Sequence, residues 1–122
     1  MKSTLMKVDD QLAPAIRGKA SAFILYHKSA FIDIVMHTHY RKKIFCCHYV
    51  KSGTEDQHHA TEAFQEAEAW ARKLGCKEIW YTTPLNKKVA FILFKLDWRY
   101  LEKLVYARYA KEYVNGFKKV LK

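Results

Sequence analysis

At 122 residues the chain has the length of one domain, and an apolar half with 15% aromatic residues can fill a core, which excludes long disorder. Four Gly and two Pro exclude a linker or low-complexity architecture. Net charge is +10 but uneven: residues 1–51 carry nine Lys/Arg against three Asp/Glu, residues 52–76 two against five, and residues 77–122 eleven against four. The basic segments on either side of the acidic one attract an anionic partner, nucleic acid, a nucleotide cofactor or an acidic protein, or simply keep a solvated surface soluble.

From the N-terminus, Met1 to Lys7 lacks the apolar stretch of a signal peptide. No run of about 18 apolar residues follows, so no membrane association is expected. The cysteines, Cys46, Cys47 and Cys76, are odd in number and two are adjacent, which predicts reduced thiols and a cytoplasmic protein. Residues 1–19 are mixed, with Pro14 and Gly18 as breakers, and no element is predicted there. Ala20–Tyr26 and Phe31–Met36 read as strands joined by a turn at His27-Lys28-Ser29. Ile44–Val50, rich in β-branched and aromatic residues, reads as a third strand.

The period then changes. Ala60, Ala63, Phe64, Ala67, Ala71 and Leu74 recur at helical spacing, and Gly75 follows as the residue that ends the helix. Two overlapping capping boxes, Ser52 to Glu55 and Thr54 to Gln57, leave its first turn open. Ile79–Thr82 reads as a strand stopped by Pro84, and Asn86 can cap the next element. Val89–Phe94 fits a buried strand or a short buried helix, and Trp98 to Tyr109 fits either as well. Asn115-Gly116 is a turn signal that predicts a final hairpin over Tyr113 to Val120. Strands first, then strand–helix–strand–helix–strand, predicts an α/β sheet with helices on its faces.

Several residues could carry chemistry. His37, His39, Cys46, Cys47, His48, His58 and His59 offer nitrogen and sulfur ligands, but their spacing matches no zinc pattern, and no metal is expected. His48, on the third strand, could serve as a general base, with Tyr49 beside it; the alternative is a half-buried strand histidine. Cys46 or Cys47 would need a low-pKa, accessible thiolate to act as a nucleophile. Bases interleave with aromatics at Tyr40 to Lys43 and at Trp98, Arg99, Tyr100, Lys103, Tyr106, Arg108 and Tyr109, a composition that suits nucleic-acid stacking or plain sheet packing.

The order helix end, strand, turn, helix, strand over residues 69–98, from Ala69-Trp70 through Leu74-Gly75, Ile79-Trp80-Tyr81-Thr82 and Asn86 to Leu96-Asp97-Trp98, resembles the C-terminal half of the GCN5-related N-acetyltransferase (GNAT) family. The resemblance covers about residues 44–110. It implies an α/β fold, a mixed and mostly antiparallel central sheet with about two helices. It also implies a single domain over 1–122, with the family's N-terminal strand and helices shortened or absent. In that family a loop of pattern Arg/Gln-x-x-Gly-x-Gly/Ala opens the long helix and holds the pyrophosphate of acetyl-CoA, a Tyr of the next helix protonates the departing thiolate, and a Leu-Gly-Phe-like turn follows. Carried onto this chain, the resemblance makes Val50, Gln57, His58, His59, Ala60 and Asn86 the cofactor-binding candidates, and it puts Phe94 in the usual Tyr position.

The departures are specific. Counted back from Gly75 the loop falls on Glu-Asp-Gln-His-His-Ala (Glu55 to Ala60), and started at Gln57 it puts Ala60 and Glu62 in the glycine slots; neither register has a glycine, and Glu55 and Asp56 bring two negative charges to a helix N-terminus. Phe94 has no proton to give. The resemblance therefore implies an acyl-CoA N-acetyltransferase-like protein that is weakly active or inactive, with acetyl-CoA as its cofactor. The alternative is a non-catalytic binding or structural protein that docks an anionic partner, similar to small GNAT-like proteins of tailed phages and located in host cytoplasm or virion.

Overall fold

The computed structural model describes residues 2–8, 21–39, 41–52, 57–82, 86–107 and 111–122. Among the described residues seven strands and two helices follow in the order β1 (Thr4–Val8), β2 (Ser21–His27), β3 (Ala30–His39), β4 (Lys42–Ser52), α1 (Gln57–Lys73), β5 (Glu78–Tyr81), α2 (Lys87–Lys95), β6 (Arg99–Ala107) and β7 (Glu112–Val120). The strands form one sheet, ordered β1-β2-β3-β4-β5-β7-β6. Every neighbouring pair is antiparallel except β4 and β5, which run parallel with α1 as their crossover. This is the expected mixed, mostly antiparallel α/β sheet with two helices.

Local chemistry explains most boundaries. The β2–β3 hairpin turns through Lys28, whose φ is 53°. Along α1 the residues Ala60, Ala63, Phe64, Ala67 and Ala71 are buried at helical spacing. Gly75 ends the helix at φ 79°, with its N–H donating to Arg72 O and that of Cys76 to Ala71 O. The capping boxes at 52–57 reach outside the described residues. Asn86 caps α2 by accepting from Lys88 N at 2.8 Å.

Val89–Phe94 resolves as helix: Ala90 and Leu93 point inward while Phe91 and Phe94 point out, a division that follows a helical turn. The turn after α2 has Asp97 at φ 67°, where the family pattern has Gly, and Trp98 N donates to Leu93 O at 2.9 Å. Of Trp98 to Tyr109, Arg99–Ala107 is strand β6, paired antiparallel with β7, and 108–109 lie outside the described residues.

Two expectations need correction. A strand does form in the N-terminal region: β1 lies on β2 from Thr4 to Val8. Its Lys7 and its mostly exposed side chains gave no apolar run to read. The N-terminal helices would fall on residues outside those described. The second correction is that Asn115-Gly116 is no turn. Asn115 pairs with Leu104 inside β7. A Cβ on Gly116 would lie 2.7 Å from Leu101 Cδ1, 2.9 Å from Val105 Cγ2 and 3.1 Å from Tyr81 O, so the glycine permits close packing.

Both helices share one core with one face of the sheet: Phe45, Cys47, Ile79, Tyr81 and Phe117 meet Phe64, Ala67, Leu93 and Trp98. Trp98 is fully buried edge-on to Phe64, and its Nε1 donates to Glu68 Oε2 at 3.2 Å. The other Glu68 oxygen meets Lys119 Nζ at 2.6 Å, and Lys119 also donates to Leu96 O at 2.8 Å. One buried carboxylate of α1 thus ties together β7, the start of β6 and the end of α2.

Removing that carboxylate takes the anion from Lys119 and the acceptor from Trp98 Nε1. Glu68→Ala is expected to lower unfolding stability by about 3 kcal/mol in urea titration. The paired change Glu68→Leu with Lys119→Met is expected to lose less than the single one; an equal or larger loss would contradict this account of the pair.

Glu62 supplies a pH-dependent contribution. Hydrogen bonds from His27 Nε2 (2.6 Å) and then Lys28 Nζ (3.0 Å) hold its carboxyl at about 2, below the ordinary 4.5. A depressed folded pKa gives stability that is present above about 4.5 and lost as pH falls through about 2. Thermal melts of Glu62→Gln should therefore show a shallower acid decline over that window than the parent; parallel declines would contradict it.

Candidate functional site

The site begins with a counting mismatch in β4. Against β3, Asp33 pairs with Tyr49 while Ile34 pairs with Cys47, so His48 is an extra residue in a β-bulge. The bulge shows in packing too. Cys47 and Val50, three residues apart, both pack into the helix-side core, which an unbroken strand of period two does not allow. The parallel pairing of β4 with β5 runs from Ile44–Glu78 to Cys47–Tyr81 and closes with Thr82 N donating to Cys47 O at 3.0 Å. β4 continues for five more residues, His48–Ser52, after β5 has ended. The two strands therefore part at the bulge.

Polar side chains gather at this point on the face away from the helices. His48 Nδ1 lies 3.0 Å from Thr82 Oγ1, and the same hydroxyl lies 3.6 Å from Cys46 Sγ. Further along that face His37 meets the Trp80 ring edge-on at 6.3 Å. Trp80 Nε1 donates to Glu78 at 2.9 Å and Lys42 Nζ lies 3.3 Å from its other oxygen. Burial alone would raise the Glu78 carboxyl, but these two hydrogen bonds, with Lys118 and Lys42 nearby, bring it below its ordinary value. On the helix side of the parting, Tyr81 is buried edge-on to Phe64 at 5.7 Å.

α1 starts just beyond the end of β4, and its first turn carries no acidic side chain. Its N–H groups and dipole make that end electropositive. His59 is half-buried there with Nδ1 2.5 Å from Ser29 Oγ, and Ala60 packs into the core.

His48, Tyr49 and Val50 follow one another at the bulge: His48 meets Thr82, Val50 packs against the core, and the Tyr49 side chain is outside the described set. Gln57 and His58 lie in the first turn of α1, their side chains outside the described set, as are Glu55 and Asp56. Asn86 is the cap of α2. Phe94 packs edge-on to Tyr100 (5.3 Å) and Phe117 (5.2 Å), on β6 and β7, which lie beyond β5 from β4. Thr82, the partner of His48, was not singled out from the sequence; a polar residue at a strand end just before Pro84 was its only signal.

Among the described residues no group of three or more His, Cys, Asp or Glu is placed to hold a metal ion. The cysteines are buried and free. Desolvation pushes the Cys46 thiol up to about 12 despite its hydrogen bond with Thr82, pushes Cys76 up to about 11, and raises Cys47 well above its ordinary value. Buried thiols of that kind are poor nucleophiles. Trp98 is a core residue and so offers no stacking surface to a partner.

No protein-family model and no curated protein matches the sequence. Solved structures do match in three dimensions. A chain of the NatC complex bound to Gag peptide and CoA is similar over 100% of both chains with TM-score 0.63 and 12% identity. Nourseothricin acetyltransferase is similar over 100% of both with TM-score 0.61 and 12% identity. A GNAT-family acetyltransferase from Streptococcus pneumoniae matches over 84% of this chain and 67% of its own, with TM-score 0.61 and 12% identity. These likenesses establish a GNAT-like fold. No described helix is long and apolar enough to cross a membrane, which says nothing of strands.

The buried thiols give a direct check. With a colorimetric disulfide reagent at pH 8, the native protein should react at least about 100-fold more slowly than the denatured protein, in which all three thiols titrate. A rapidly reacting thiol in the native state would contradict this burial.

Proposed function

We propose that this chain is a GNAT-like protein whose chemistry is acyl-CoA-dependent N-acetyl transfer at low activity. The observation that carries the reading is the parting of β4 from β5 at Cys47 and Thr82, with His48 in the bulge beside it.

The residues present fit the acyl-pantetheine end of such a ligand. An extended arm can lie against the β4 edge from Tyr49 to Ser52, where β5 no longer pairs. They fit the pyrophosphate end poorly: the sequence Glu55 to Ala60 contains no glycine, and its Glu55 and Asp56 add negative charge to the stretch that precedes α1. When bound, acetyl-CoA supplies an activated thioester. His48 takes the proton that the acceptor amine sheds as its nitrogen bonds to the acyl carbon and the carbon–sulfur bond breaks. Thr82 Oγ1 orients the imidazole. Phe94 contributes no proton to the leaving thiolate, so solvent supplies it, and turnover is slow.

The runner-up is a non-catalytic binding protein. The place of Phe94, over β6 and β7, favours it, because α2 then brings no acid to the opening.

Thermal-shift titration with acetyl-CoA separates the two. Millimolar affinity is expected: little shift at about 0.1 mM, and a stabilisation rising toward about 2.7 kcal/mol at 100 times Kd. No shift at any concentration would leave the runner-up, and micromolar affinity would overturn the weak-site reading. With an amine acceptor, His48→Ala should slow transfer by about 100-fold without loss of folding. An unchanged rate would remove His48 from this role.

A further inference from the structure

The outer face of α2 and the adjoining part of β6 play no part in the opening between β4 and β5. α2 buries Ala90, Ile92 and Leu93 and turns Lys87, Lys88, Phe91, Phe94 and Lys95 outward. Phe91 is 58% exposed, with Lys95 Nζ 5.1 Å from its ring centroid. Beside Phe94, the Tyr100 ring lies stacked on the fully buried Phe117 at 4.6 Å and 29°. One face of Tyr100 is thereby taken. The ring is held flat and is 45% exposed, on the last strand of the sheet. Leu104 is exposed further along the same strand. Arg99 adjoins Tyr100 and is itself exposed, 3.8 Å from Asp97.

Exposed aromatic clusters of this kind mark an interaction surface. Its charges choose the partner. Lys87, Lys88, Lys95 and Arg99 share α2 and the start of β6 with the rings, against the carboxylates Asp97 and Glu102, on a chain of net charge +10. A second copy would bring the same cations to the same place, which disfavours self-pairing. An acidic peptide would satisfy the lysines but leave the ring faces unused.

We propose that the α2–β6 face binds single-stranded nucleic acid, with bases stacking on Tyr100 and Phe91 and phosphates meeting Lys87, Lys88, Lys95 and Arg99. Stacking on a pinned ring needs no base identity, and cations along the same surface track the backbone. The proposal is independent of acetyl transfer.

The test is fluorescence anisotropy of the whole chain with a labelled oligothymidine of about 15 nucleotides, within the usual site sizes. Binding is expected at low salt and should weaken as salt rises, with a log–log slope of about −3 for four phosphate contacts at about −0.7 each. Tyr100→Leu keeps an apolar side chain on Phe117 but removes the stacking face, and should weaken binding about tenfold with little change in melting temperature. Lys87→Gln with Lys88→Gln should flatten the slope by about 1.4. Lys7→Gln, on β1 at the far edge of the sheet, should change nothing. The proposal is overturned by no binding at low salt, or by folded Tyr100→Leu binding as the parent does. Tighter association with phosphatidylserine vesicles than with the oligonucleotide, or a dimer that Tyr100→Leu dissolves, would also overturn it.

Discussion

The buried carboxylate of Glu68 is the contact on which the arrangement of the C-terminal half depends. A crossover helix lays β5 parallel to β4, but β7 and β6 must then add to the outer side of β5 and remain there. Glu68 fixes them by holding Lys119 of β7 and the indole of Trp98 at the mouth of β6, and Lys119 in turn holds the last carbonyl turn of α2. Desolvating one carboxylate is costly, and it is tolerated here because each oxygen has a charged or N–H partner. Around it, fully buried Trp98, Phe64 and Leu93 each contribute on the order of 1.5–3 kcal/mol.

That clamp gives meaning to the charge pattern of the chain. The acidic segment between two basic ones contains α1, and the carboxylates of that helix serve the fold. Glu62 meets His27 and Lys28, Glu66 accepts from the N–H groups of Lys2 and Ser3, and Glu68 meets Lys119. They pin the helix to β2, to the lead into β1 and to β7. With those acids engaged in contacts within the fold, the chain keeps a large excess of Lys and Arg. The frame also locates the opening. β5 is held along Ile79 and Tyr81, while the bulge at His48 bends β4 away, so the strands separate at one defined place.

The sequence made the periodic elements legible. The β2–β3 hairpin, α1 with its terminal Gly75, β5 and the Asn86 cap each carry a local signal strong enough to survive tertiary context. Val89–Phe94 could not be assigned, because a six-residue apolar run fits two periods; the cap and the division of inward and outward residues decide it. Asn115-Gly116 misled because glycine serves turns and close approaches alike, and only the positions of Leu101, Val105 and Tyr81 tell them apart. The candidate site was half legible. His48 was visible as a histidine on a central strand. The bulge that makes it distinctive exists only in pairing with β3, and Thr82 acquires a role only from lying across from it. The resemblance put Phe94 in the usual Tyr position but could not set it against Tyr100 and Phe117, since that contact depends on where β6 and β7 join the sheet.

The central claim is that the parting of β4 and β5 is a ligand site. Backbone amide NMR with millimolar acetyl-CoA addresses it residue by residue. The account predicts that shifts concentrate at His48 to Val50, at Thr82 and in the first turn of α1, while the amides of Phe94 and Tyr100 stay in place. Shifts confined to α2 and β6, or none at saturating ligand, would contradict it.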